Sequence, residues 1–198
     1  MLPSVSKQIL SILAIAWLSS QVAGCAAPII IGAAAVGATM AHDRRAAGVQ
    51  VDDDTIEIKA SARISDNPDI ATHASVGVTS YNRIVLLTGQ VDDPYVKERI
   101  VRMTQDVPQV RRVVDEILVG DRASLQRSSE DAYITSRVKI ALVEIRRHDF
   151  DPTRIKVVTE KGVVFLMGIV TPEEAEATVQ KARYVSGVRR VVKVFEYL

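Results

Sequence analysis

The sequence predicts an α+β protein of two tandem modules, each running α-β-β-α-β, with two helices packed on a three-stranded mixed sheet. Three observations predict it. The first is an internal repeat. Val110-Arg111-Arg112-Val113-Val114 returns 78 residues later as Val188-Arg189-Arg190-Val191-Val192, and Val85–Val91 matches Val164–Val170 at a spacing of 79. Asp53 and Ile56 pair with Asp131 and Ile134, again at 78. This period is longer than the roughly 20–50 residues of solenoid repeats, so each copy is a small domain. The second observation is that helical and strand periodicities alternate in the same order in both copies. The third is that two helices can cover one face of a three-stranded sheet and so bury its apolar side.

In the second copy, a helix is expected from Asp131, as its cap, to about Arg147. Ile134, Val138, Leu142 and Ile145 form its buried stripe. Strands follow at Arg154–Thr159 and Val163–Val170, split by the turn Glu160-Lys161-Gly162. Thr171 is an N-cap, Pro172 stands at N1, and Glu174 completes a capping box. Gly187 ends that helix and Val188–Glu196 is the last strand. Val138, Leu142, Leu166 and Val191 are the expected core. The first copy repeats the plan with a short helix at Thr55–Ile64, strands at Ala74–Thr79 and Arg83–Gly89, a helix from Asp93-Pro94 to Asp106, and a strand at Val110–Leu118.

The domain organisation read from these signals is a signal segment at 1–24, an apolar tether and polar linker at 25–52, modules at 53–119 and 131–198, and a polar linker at 120–130. Lys7 begins the signal, Ile9–Leu18 is its apolar core, and Val22-Ala23-Gly24 precede Cys25. The apolar run has the length of a signal core and is too short to span a bilayer. Small residues suit the peptidase, and the thiol of Cys25 is the lipid acceptor. Cys25 is the only cysteine, so no internal disulfide can form. Residues 26–41 are almost wholly apolar and read as a tether near the membrane or a partner contact.

The net charge is +1 and aromatics are 5% of the chain, which argues against a nucleic-acid partner. No nucleophile elbow or glycine-rich phosphate loop is present. Asp69 and His73 have a metal-compatible spacing, but Pro68 cuts short any helix there. His148-Asp149-Phe150-Asp151 reads as a polar loop. We therefore expect no catalytic residues, no metal and no enzyme. The expected lipid-contact residues are Tyr133, Arg137, Ile140 and Arg147, an aromatic and an aliphatic residue beside two bases on one helix side. Residues 131–198 carry 12 bases and 9 acids, whereas 53–119 carry 8 and 11, so an anionic bilayer attracts the second module. The paired arginines of the repeat read as solvated strand charge or as a salt bridge between modules.

The stretches Gly162–Val170, Thr171–Ala177 and Val185–Val194, with Arg83–Val91 and Val107–Val114 in the first copy, resemble the BON domain. Where the second copy has Ser186-Gly187, the first has Pro108-Gln109. Val22–Cys25 resembles a lipobox, and the whole layout resembles dual BON-domain outer-membrane lipoproteins of the DolP/YraP type. That resemblance implies a non-enzymatic lipoprotein, without a cofactor beyond the diacylglycerol and N-acyl chains on Cys25. It implies a role in envelope integrity, with anionic phospholipid as partner. The alternative is an adaptor that binds outer-membrane assembly or cell-wall machinery. Ala26 after the cysteine implies an anchor in the inner leaflet of the outer membrane, facing the periplasm of a Gram-negative cell.

Cys25→Ser is expected to leave an unprocessed or soluble precursor. A single acyl chain holds only marginally, at about 0.8 kcal/mol per buried methylene, and several chains hold firmly. Mass spectrometry of the mature protein checks this, and an unmodified cysteine at its N-terminus contradicts it.

Overall fold

Val85-Leu86-Leu87 and Val164-Phe165-Leu166-Met167 are unbroken apolar runs, and strands with such runs are stable only when both faces are buried. The computed structural model, which describes residues 43–120 and 125–198, shows how this is met. Cys25 and the apolar segment 26–41 lie outside the described residues.

The elements are α1 (Ala47–Ser65), a short α2 (Pro68–Ala71), β1 (Ala74–Tyr81), β2 (Ile84–Val91), α3 (Pro94–Gln105) and β3 (Arg112–Val119). Then come α4 (Leu125–Val143), a 3-10 turn at Pro152–Arg154, β4 (Lys156–Glu160), β5 (Val163–Val170), α5 (Pro172–Arg183) and β6 (Arg190–Tyr197). Each module has one three-stranded sheet with the middle strand β2 or β5. The first pair is antiparallel (Val78 opposite Leu87; Val158 opposite Phe165) and the second parallel (Val85 opposite Val113; Val164 opposite Val191). The mixed sheet under two main helices agrees with the expected fold class.

Alternation along the middle strands divides the core. Val85, Leu87 and Val91 face α1 and α3, packing with Ile56, Ile100 and Ile117. Val164, Leu166 and Val170 pack with Ile134, Val138 and Leu142 of α4. The intervening Ile84, Leu86, Phe165 and Met167 join Tyr81 and Val194 in a third cluster that draws on both modules. The two sheets therefore pack back to back, with helices outside. Val138, Leu142 and Leu166 are buried as expected, but Val191 is only half-buried.

Helix starts differ from the sequence reading. α1 begins at Ala47 and α4 at Leu125, inside stretches read as linkers. Asp131 is therefore within α4 and does not cap it. Its carboxylate accepts the N–H groups of Lys161 (2.7 Å) and Gly162 (2.8 Å) in the β4–β5 turn. Asp53 holds the β1–β2 turn likewise, accepting from the N–H groups of Asn82 (2.8 Å) and Arg83 (2.7 Å). Both turn residues are left-handed in each copy: Asn82 (φ 50°) and Arg83 (63°), Lys161 (49°) and Gly162 (73°). This is the geometry of two-residue hairpins, and a helix aspartate that satisfies two turn amides explains the Asp53/Asp131 repeat.

At the start of α5, Thr171 and Glu174 form the expected capping box with Pro172 at N1. Gln109 adopts φ 75° and Gly187 φ 91°, so the first copy makes the same turn without glycine. α4 ends at Val143, four residues before the expected end.

Leu142→Ala is expected to destabilise the protein by about 2–4 kcal/mol through loss of buried volume. Urea unfolding measures this, and a wild-type midpoint contradicts the packing of α4.

Candidate functional site

One helix carries two opposed faces. Ile134, Val138 and Leu142 of α4 are buried, while Tyr133 and Ile140 on its outer side are 63% and 59% exposed. Arg137 lies between them in helical order and is exposed. At about 100° per residue, Tyr133, Arg137 and Ile140 share one face. Val143, 70% exposed, extends that apolar edge one turn further and was not among the residues singled out from sequence. Its spacing of three from Ile140 was the available signal.

Arg147 does not belong to this helix face. The chain leaves α4 after Val143, with the Ile145 N–H turning back to the Leu142 carbonyl at 3.1 Å. Arg147 stands in the following loop, exposed, where it lines two cavities. One groove of about 550 Å³ runs between that loop and α5 and includes Ile145, Arg146, Lys181 and Tyr184. The other, about 610 Å³, lies at the start of α5 beside Arg44, Phe150 and Glu174. Glu144, just past the end of α4, pairs with Lys181 at 3.3 Å.

α1 also exposes Val51 and Ile58, but Asp54 is the exposed residue between them. The positions matching Tyr133, Arg137 and Ile140 in the first copy are Thr55, Lys59 and Ala62. Of α1 and α4, it is α4 that combines exposed apolar groups, a tyrosine and an arginine on one face.

The arm before α1 clamps both modules. Arg44 pairs with Glu174 through both guanidinium nitrogens, one at 2.9 Å, and donates to the Ile169 carbonyl at 2.9 Å. Arg45 bonds Asp53 at 2.7 Å and lies 4.3 Å above the Tyr81 ring. Burial pushes the Tyr81 phenol up to about 12. Burial also raises the Glu174 carboxyl, but the Arg44 hydrogen bonds, the Thr171 backbone N–H and the charges of Arg44 and Arg154 outweigh it and hold the group below its ordinary value.

The other sequence candidates are placed as follows. His73 pairs with Asp92 at 2.9 Å rather than with Asp69. His148 and Asp149 contact each other at 2.9 Å, both exposed. Among the described residues, no three His, Cys, Asp or Glu side chains converge as a metal site, and no helix is long and apolar enough to cross a membrane. The repeated arginines do bridge the modules: Arg111 reaches Glu196 at 3.1 Å and Arg190 reaches Glu116 at 3.6 Å. Both pairs are partly exposed, so each stabilises only slightly.

Comparison with known proteins gives two matches to the BON domain, at residues 52–121 and 130–198. The chain is 38% identical over 175 residues to the outer membrane lipoprotein DolP of Haemophilus influenzae, covering 88% of this chain and 89% of that protein. It is 33% identical over 156 residues to the 21 kDa hemolysin of Actinobacillus pleuropneumoniae, covering 79% of each. It is 30% identical over 145 residues to osmotically-inducible protein Y of Escherichia coli, covering 71% of this chain and 70% of that protein.

The clamp predicts a pH signature. Glu174 titrates below the ordinary glutamate range when folded, so its pair with Arg44 stabilises fully above that range and is lost as pH falls through the lowered pKa. The urea midpoint of Arg44→Gln is expected to lie below wild type at neutral pH, with the gap closing in acid. A gap that persists undiminished at low pH contradicts the Glu174 linkage.

Proposed function

The chain belongs to the BON-domain family, and from that premise we propose that it is a lipid-anchored outer-membrane lipoprotein that supports envelope integrity. It is held by Cys25 in the inner leaflet, faces the periplasm and binds the anionic phospholipid surface through its second BON domain. The relative named as an outer membrane lipoprotein spans nearly the same length and supports the location. The names of the three relatives describe no enzyme, and we assign no catalysis.

The observation that carries the membrane contact is the outer face of α4. Folding buries Ile134, Val138 and Leu142 of this helix and leaves Tyr133, Ile140 and Val143 in water beside Arg137. Apolar groups on a helix already fixed by its other face can enter the headgroup region without further ordering of the backbone. Tyrosine suits the interface, and an arginine stem can snorkel while its head meets phosphate. The positive balance of residues 131–198 adds long-range attraction. Arg147 contributes from the neighbouring loop rather than from the helix face.

A protein-partner reading is favoured by one feature. β3 and β6 are edge strands; β3 ends with exposed Leu118 and Val119, and β6 ends with exposed Tyr197. Such edges can accept a strand from an assembly or cell-wall protein.

Tyr133→Glu and Arg137→Glu test the lipid reading in a soluble form lacking residues 1–25. Both variants are expected to keep the wild-type circular dichroism. Arg137→Glu, a change of two charge units, is expected to weaken co-sedimentation with phosphatidylglycerol vesicles by about tenfold or more, at about 1 kcal/mol per charge near the surface, and Tyr133→Glu, a change of one unit, by about fivefold or more. Added salt should weaken wild-type binding. Unchanged binding by both variants, or crosslinking to one protein without vesicle binding, would favour the protein-partner reading.

A further inference from the structure

The Val-Arg-Arg-Val-Val repeat meets different surroundings in the two modules. In the first, Arg111 is committed to Glu196 (3.1 Å) and to the Asn82 carbonyl (3.3 Å). In the second, Arg189 and Arg190 join Arg183 around one open cavity of about 360 Å³, whose remaining lining is Val179, Val188 and Val191. Among the described residues, no carboxylate lines it. The acid paired with an arginine of this group is Glu116, which meets Arg190 at 3.6 Å from the other module.

Two local differences assemble this cluster. Arg183 stands where the first copy has Gln105. It closes α5, where the negative end of the helix dipole favours a cation. Gly162 stands at the turn position that Arg83 fills in the first copy, and Arg83 is drawn to Asp52 at 2.6 Å. A Cβ on Gly162 would lie 2.9 Å from Cδ and 3.0 Å from Cγ of Arg189. The stem of Arg189 therefore lies across the bare turn, while its backbone N–H donates to the Gly162 carbonyl at 2.8 Å. The bare glycine thus makes room for Arg189 beside the cavity.

From this geometry we infer that Arg183, Arg189 and Arg190 form a binding pocket for a phosphate ester. Three guanidinium groups repel one another, and an anion between them removes that repulsion. Their planar N–H forks match phosphate oxygens in pairs. The three half-buried valines give the wall an apolar character that suits the carbon side of an ester better than a fully hydrated inorganic ion. The phosphate can come from a lipid headgroup or from a soluble ester. Among the described residues, the lining of this pocket includes none from α4, although Arg189 also lines a neighbouring cavity that Tyr133 borders.

The test uses the full lipidated chain in neutral detergent micelles with ¹⁵N-labelled arginine, titrated with glycerol 3-phosphate and, separately, with phosphatidylglycerol. Saturable shifts of the Nε–H signals of Arg183, Arg189 and Arg190 are expected with at least one probe. A response to the lipid alone assigns a headgroup, and a response to the soluble ester assigns a free ligand; either supports the pocket. Arg183→Gln should weaken binding by about tenfold, the worth of one charge-assisted hydrogen bond. Arg112→Gln in the first copy should leave it unchanged. No saturable shift with either probe, or an equal response to sodium chloride at matched ionic strength, overturns the inference. So does equal weakening by both variants. Arg137→Glu separates this pocket from the α4 face: it should weaken vesicle binding yet leave these arginine shifts intact.

Discussion

Leu86, Phe165 and Met167 are buried between two sheets that come from different modules, and Ile84, Tyr81 and Val194 complete that layer. A three-stranded sheet has two faces, and two helices cover one. The second face needs its own apolar partner, and the other copy of the module supplies it. Burying side chains of this size stabilises by about 1.5–3 kcal/mol each. Polar contacts at the rim, such as Lys156 to Glu57 at 2.6 Å and the Tyr81 hydroxyl to the Arg154 carbonyl at 3.2 Å, orient the sheets around it.

The outward placement of the helices follows from this packing. With the sheet backs occupied, α1 and α3 on one module and α4 and α5 on the other occupy the outer layers. The face of α4 that would touch a membrane is exposed for that reason. In the arm before α1, Arg44 and Arg45 form hydrogen bonds that reach Glu174 in one module and Asp53 in the other. The same two residues therefore fasten the start of the fold to both halves.

Duplication preserved the frame and released the surface. The aspartates that hold the hairpin turns, the left-handed turn residues and the parallel pairing of the last strand are common to both copies. These features satisfy buried amides or set sheet register, so they resist change. Arg83 against Gly162, Gln105 against Arg183 and Thr55 against Tyr133 lie outside that frame. They differ in charge and bulk without disturbing the core.

The sequence by itself determined the module order, the capping box at Thr171-Pro172-Glu174, the Lys161-Gly162 turn and the buried stripe through Val138 and Leu142. Each rests on neighbours within a few residues, where spacing and side-chain chemistry act directly. The exposure of Tyr133 and Ile140 was legible for the same reason, being the complement of that stripe. Only the tertiary structure decided the upstream starts of α1 and α4, whose first turns lack a clear apolar stripe, and the end of α4 before Arg147. It decided that Asp53 and Asp131 hold turns roughly 30 residues away, Asp131 doing so from within α4 instead of capping it. It also joined Arg111 to Glu196 and brought Arg183, Arg189 and Arg190 around one cavity. Those pairings depend on which sheet backs meet and on where a turn folds over a strand. Both are set by burial across the whole chain, which local periodicity does not encode.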